Sequence, residues 1–211
     1  MPRPQMLNVD DVLDAVEALV VDEGLAAVTA RAVSRRAGVS NGSLYHSFGS
    51  IENVLARAWL RGARRFLDQQ QQAIDLALAA DGSVDAVTGA ALTLAVLADR
   101  HPSTARFLAQ VKRERLLEGS LDDQLARELQ ALDGQLLSQI RALAKALWGR
   151  RDAAAITVVT ACIVDLPTAL LLRDLRRGVP GPLSRRLLEQ AVRALVAEPP
   201  ERRGTNRIGA D

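Results

Sequence analysis

Aromatic residues are scarce in this chain: three Phe, two Trp and one Tyr among 211 residues. Sheets favour aromatic and β-branched side chains, so the scarcity speaks against them. It also speaks mildly against a cavity specialised for large flat molecules. A single cysteine, Cys162, excludes an intrachain disulfide and a Cys-rich zinc site. It lies in an apolar run, where a free thiol acts as a small hydrophobe. The two histidines, His46 and His101, sit in no recognisable acid or nucleophile motif. There is no Gly-rich phosphate loop, metal-ligand spacing or nucleophile elbow, so no catalysis, cofactor or metal is expected. Residues 1–10 lack the apolar stretch of a secretory leader, which reads as a cytoplasmic protein.

What is abundant is Ala and Leu, the head of the helix propensity scale. With 48% hydrophobic and 25% charged residues, the composition is that of a packed globular protein. Apolar positions recur at three- and four-residue steps, with Gly or Pro at the breaks. They predict an all-α chain of nine helices, near 8–23, 29–37, 41–47, 50–80, 83–100, 102–118, 121–148, 152–178 and 183–197. No strand alternation or internal repeat appears. The run from Ala153 to Leu172 is close to bilayer length, roughly 20 residues. It contains Asp165, Pro167 and three Thr and has no companion span, so it reads as a fully buried bundle helix with Asp165 paired and a kink at Pro167.

Net charge is only +2, so the distribution of charge must decide about partners. Residues 28–65 hold seven arginines (31, 35, 36, 57, 61, 64 and 65) against one acid, Glu52. Within that block lies a helix-turn-helix spacing. Val33 and Ala37 stand one turn apart, Gly38 makes the turn, and Val39 fills the angle. Leu44 and Phe48 face inward on the second helix, leaving Asn41, Gly42, Ser43, Tyr45 and His46 outward. That second helix is intrinsically poor, because Asn, Gly and Ser favour caps and turns. Such a surface suits DNA: Gly allows close backbone approach, and Asn41 and Ser43 can bond base edges in the major groove. Tyr45 and His46 can hold phosphates. The cluster at Arg57, Arg61, Arg64 and Arg65 reads as solvated or inter-domain surface.

The segment from Val12 to Leu55 resembles the DNA-binding domain of the TetR family of bacterial regulators. Thr29, Ala37-Gly38-Val39-Ser40, Gly42-Ser43-Leu44-Tyr45 and Phe48 carry the match, over about a quarter of the chain. The resemblance implies an N-terminal three-helix reader, residues 1–49, and a roughly six-helix effector-binding and dimerisation bundle, residues 50–198. A disordered tail is expected over 199–211. Thr29, Tyr45 and His46 would touch DNA backbone; Arg31, Asn41 and Ser43 would face the groove, with Ser40 and Gly42 beside them. Two positions depart from the family: Ala32 replaces a frequent acid, and Ile51 replaces a lysine that commonly touches phosphate. The aromatic residues available for an effector cavity are Trp59, Phe66, Phe107 and Trp148. The helices near 152–178 and 183–197 resemble the family's dimerisation pair, and two readers about 34–36 Å apart would read a palindromic operator. The expected role is a repressor released by a small molecule; a regulator without an effector is the alternative, favoured by a closed bundle.

Overall fold

Asn8, Thr29, Ser40, Ser50, Asp122 and Asp152 each stand one residue before a helix, and each side-chain oxygen accepts an amide of the first turn. Such caps stabilise by about 1 kcal/mol each, and they set where helices begin. The computed structural model describes residues 7–201, all of whose regular elements are helical. In chain order they are α1 (Val9–Glu23), α2 (Ala30–Ala37), α3 (Asn41–Phe48), α4 (Ile51–Ala79) and α5 (Ser83–Arg100). Then follow α6 (Pro102–Gln110), α7 (Arg113–Leu117), α8 (Asp123–Trp148), α9 (Ala153–Leu175) and α10 (Pro182–Val196). The helix expected over 102–118 is two, because the chain turns extended at Val111 and Lys112. Neither residue is a glycine or proline, so no local signal marks that break. Of the expected disordered tail, residues 202–211 lie outside the described residues; Pro200 accepts a bond from Arg150 at 2.8 Å.

α9 runs on through Pro167 without a break. The proline lacks an N–H to donate to the turn before it, and the preceding segment Ala161–Asp165 is wound as a π-helix, with the Leu166 amide reaching back to the Ala161 carbonyl. The expected full burial of this helix does not hold. Only 33% of the residues in its most apolar stretch are buried, although it passes for a membrane span by length and composition. Asp165 lies on the exposed side and forms no ion pair among the described residues. Leu183, Leu187 and Leu195 of α10 are likewise 64%, 46% and 46% exposed. Cys162 is fully buried in the π segment, and burial pushes its thiol up to about 11.

α1, α2 and α3 do not form a core of their own. Val12, Val16, Leu19, Val33, Leu44 and Phe48 pack with Val54 and Ala58 of α4, and with Phe107, Val111 and Leu116 beyond it. α4 runs on into the bundle, where α5, α8, α9 and α10 enclose a second cluster around Ile74, Leu97, Leu143 and Leu171.

The Asp152 cap offers a pH test. Its pKa is lowered to about 2, first by the bond from Arg150 and then by the Ala155 amide. A carboxylate depressed in the folded state stabilises above its unfolded pKa and loses that contribution as pH falls through the folded value. Wild type and Asp152→Asn should therefore differ in stability at pH 5 and converge between about pH 4 and pH 2. Urea denaturation across that range checks it; a constant gap would show that the charge contributes nothing.

Candidate nucleic-acid interface and bundle cavity

α2 ends at Gly38, whose φ of 70° is the left-handed conformation that glycine takes at least cost. The Gly38 and Val39 amides both return to the Ser34 carbonyl, which closes the turn tightly. Ser40 then caps α3 by accepting from Ser43 N at 3.0 Å. Leu44 (0% exposed) and Phe48 fasten α3 to the core. Thr29, Arg31, Ser40, Asn41, Gly42, Ser43, Tyr45 and His46, the eight expected contact residues, are all exposed. Tyr45 keeps 49% of its surface in solvent, unusual for a large aromatic side chain. Arg31 and Arg35 are also exposed and form no ion pair among the described residues; Arg36 is paired with Asp22 at 2.6 Å.

The place of Ile51 has a packing reason. It is half-buried and lines a small groove with Leu25, Val28, Leu55 and Leu116, so it joins the reader to α7. Asn53, two residues on, was not singled out from sequence. It donates to the Phe48 carbonyl at 2.9 Å, closing the end of α3, and accepts from the Asp122 amide at 3.2 Å, where α8 begins. Nothing local signals this role, because its two partners lie at separations of 5 and 69 residues.

The arginines of α4 are held in contacts with other helices. Arg61 bonds Glu17 and Asp14 of α1 at 2.6 Å each and Asp10 at 3.1 Å. Burial alone would lower its pKa, but Glu17, then Asp14 and Asp10, hold it above the ordinary value, and it stays charged. Arg64 meets Glu128 and Arg57 meets Asp122, both at α8. Arg57, Arg61, Arg64 and Glu128 line an open cleft of about 590 Å³ along α4.

A different cavity, of about 330 Å³, lies inside the bundle. Its walls are apolar side chains of α4, α5, α6, α8 and α9, among them Trp59, Phe66, Leu136 and Leu172, with Arg113 and Asp133 as the charged residues. Of the four aromatic residues expected there, Trp59 and Phe66 line it. Phe107 does not; it is fully buried in the reader core. Trp148 does not either, being half-buried at the end of α8 against the bundle core. Helical periodicity shows that a residue faces inward, but not which neighbour it meets. Trp59 also donates to the Val111 carbonyl at 3.0 Å, and so ties the cavity wall to the α6–α7 break.

Residues 12–58 match the family model described as bacterial regulatory proteins, tetR family. No curated protein matches the chain. Solved structures share its fold. The TetR family regulator PfmR from Thermus thermophilus has 17% identity and a TM-score of 0.61, covering 90% of this chain and 99% of its own. The ketosteroid transcriptional regulator KstR2 of Mycobacterium tuberculosis has 19% identity and a TM-score of 0.61, covering 94% and 98%. The fatty acid degradation regulator FadR from Bacillus halodurans has 16% identity and a TM-score of 0.60, covering 94% and 96%.

Proposed function

We propose that this chain, whose residues 12–58 match the model of the TetR family of bacterial regulatory proteins, is a cytoplasmic, homodimeric repressor that leaves a palindromic operator when a small molecule enters its bundle. The observation that carries the DNA-reading role is the outward face of α3. Five of its residues, Asn41, Gly42, Ser43, Tyr45 and His46, are exposed on a helix held rigidly from behind by Leu44 and Phe48. Free arginines flank it on α2. In this reading the reader spans residues 1–49 and the effector bundle 50–198, with α4 shared between them.

The dimer would form through α9 and α10. An apolar helix with only 33% of the residues of its most apolar stretch buried, beside the exposed Leu183, Leu187 and Leu195, favours a partner surface, and a two-fold axis would cover both copies at once. The open apolar pocket favours an effector over its absence, because a closed, fully packed bundle would have no room for one.

The test is titration of the protein against duplex DNA from beside its own gene and a scrambled duplex, at two salt concentrations. Sequence-dependent binding with a steep salt slope supports the reading. Absence of binding to any duplex, including a random pool, removes it. Gly42→Ala separates fold from function. An added Cβ would meet only Ser40 Oγ, at 3.8 Å, so the helix tolerates it. Stability should rise by up to about 1 kcal/mol, since Gly is the poorer helix former, while operator affinity falls because the backbone is held off the DNA. Parallel urea denaturation and binding assays check both signs.

A further inference from the structure

The wall of the bundle cavity contains one group that apolar packing does not explain. Arg113 opens α7, and only 21% of its side chain is exposed. Its Nε–H is buried and bonds to nothing. Of its five donors one is used, on Nη1, which donates to the Asp133 carboxylate. Asp133 is 65% exposed, so it holds the arginine from the solvent side. The remaining polar group of the wall, the Thr168 hydroxyl, already donates to the Val164 carbonyl at 2.7 Å. A half-buried guanidinium with an orphaned Nε–H, on the wall of an otherwise greasy cavity, keeps donors to spare after its one bond to Asp133.

Resting on the effector reading above, we propose that the cavity takes an amphiphilic carboxylate. Its apolar body would lie among Trp59, Phe66, Leu136 and Leu172. Its carboxylate would lie against Arg113 and accept the unused N–H groups, displacing or sharing Asp133. The guanidinium fork matches two carboxylate oxygens side by side, and such charge-assisted pairs are the strong ones. A cationic amphiphile fits worse. Its only partner would be Asp133 in a solvated position, and Arg113 would repel it. A neutral alcohol offers a single uncharged oxygen in place of two charged ones and leaves the charge of Arg113 as it was.

The experiment measures binding of decanoate, decanol and decylamine to the full chain by calorimetry, with operator occupancy recorded in parallel. Decanoate should bind at least about tenfold tighter than decanol, and decylamine should bind weakest. Arg113→Met should remove the preference for decanoate and keep decanol binding, which also shows that the cavity is intact. Asp133→Asn should strengthen decanoate binding, because it removes the competitor for the guanidinium. A purely structural ion pair predicts the reverse, since either substitution would loosen the wall and weaken both ligands alike. Equal binding of decanoate and decanol, decanoate binding unchanged in Arg113→Met, or no decanoate binding at all would each overturn the proposal. Operator release by decanol as effective as by decanoate overturns it while leaving the effector reading standing. Preferential decanoate binding without operator release supports the carboxylate site and removes the effector reading.

Discussion

Phe107→Ala should destabilise the folded chain by about 3–5 kcal/mol, the cost of deleting a buried aromatic side chain into a cavity its neighbours cannot fill. The residue belongs to α6, a helix of the bundle, yet its ring is fully buried beside Val12, Val16, Leu19, Leu44 and Val54 of the reader core. It is among the largest fully buried side chains of the described residues. A loss of that size is a large part of the total stability of most domains, so the operator-competent population should fall with it although Phe107 touches no DNA. Phe107→Leu keeps most of the volume and should cost much less. The half-buried Trp148, which lies against the other core, serves as control: Trp148→Ala should leave operator affinity largely unchanged after correction for folded fraction. Urea denaturation followed by operator titration reads all three. A Phe107→Ala loss below about 1 kcal/mol would mean that the reader does not depend on the bundle for its core.

The same residue shows what could be read from the chain and what could not. Caps and breaks are local, so Thr29, Ser40, Ser50, Asp152, Gly24, Gly38 and Gly149 mark helix ends that the structure reproduces. The inward positions Val33, Leu44 and Phe48 follow from period alone and are buried. The partner of an inward residue does not follow from period, and so Phe107 reads as cavity wall when it is the plug between reader and bundle. The apolar run of α9 reads as buried because apolar surface must be covered. Sequence does not say whether the cover belongs to the same copy, and here one chain buries only a third of the residues in that run. Arg113 with Asp133, and Asn53 with Asp122, join residues 20 and 69 positions apart, and each alone looks like ordinary polar surface. Ile51 looks like a lost phosphate contact until Leu25, Val28 and Leu116 are seen around it.

Arg61→Met should cost about 3 kcal/mol or more, and nearly all of it should come from one of its three ion pairs. The arginine reaches Asp10 at 3.1 Å and both Asp14 and Glu17 at 2.6 Å, so distance does not single out one partner. Burial does. Asp10 and Asp14 are 74% and 69% exposed, and solvated pairs of this kind contribute about 0.2–1 kcal/mol each. Glu17 is only 5% exposed and keeps a single other partner, the Thr104 hydroxyl at 2.7 Å, once the arginine is gone. An abandoned buried carboxylate carries the penalty of about 3–5 kcal/mol. Glu17→Gln in the Arg61→Met background should therefore recover much of the loss, whereas Asp10→Asn and Asp14→Asn should each change little; a double-mutant cycle measures the coupling. Small coupling between positions 17 and 61 would show the buried pair to be incidental. Large coupling has a consequence for signalling. Thr104 also accepts from Arg65 at 3.0 Å, so Glu17, Arg61, Thr104 and Arg65 join α1, α4 and α6 into one hydrogen-bonded unit. Any displacement of α4 or α6 by a molecule in the bundle cavity must then carry α1 with it, and through the shared core it carries α3. Arg61→Met should accordingly weaken the response of operator affinity to ligand more than it weakens ligand binding itself.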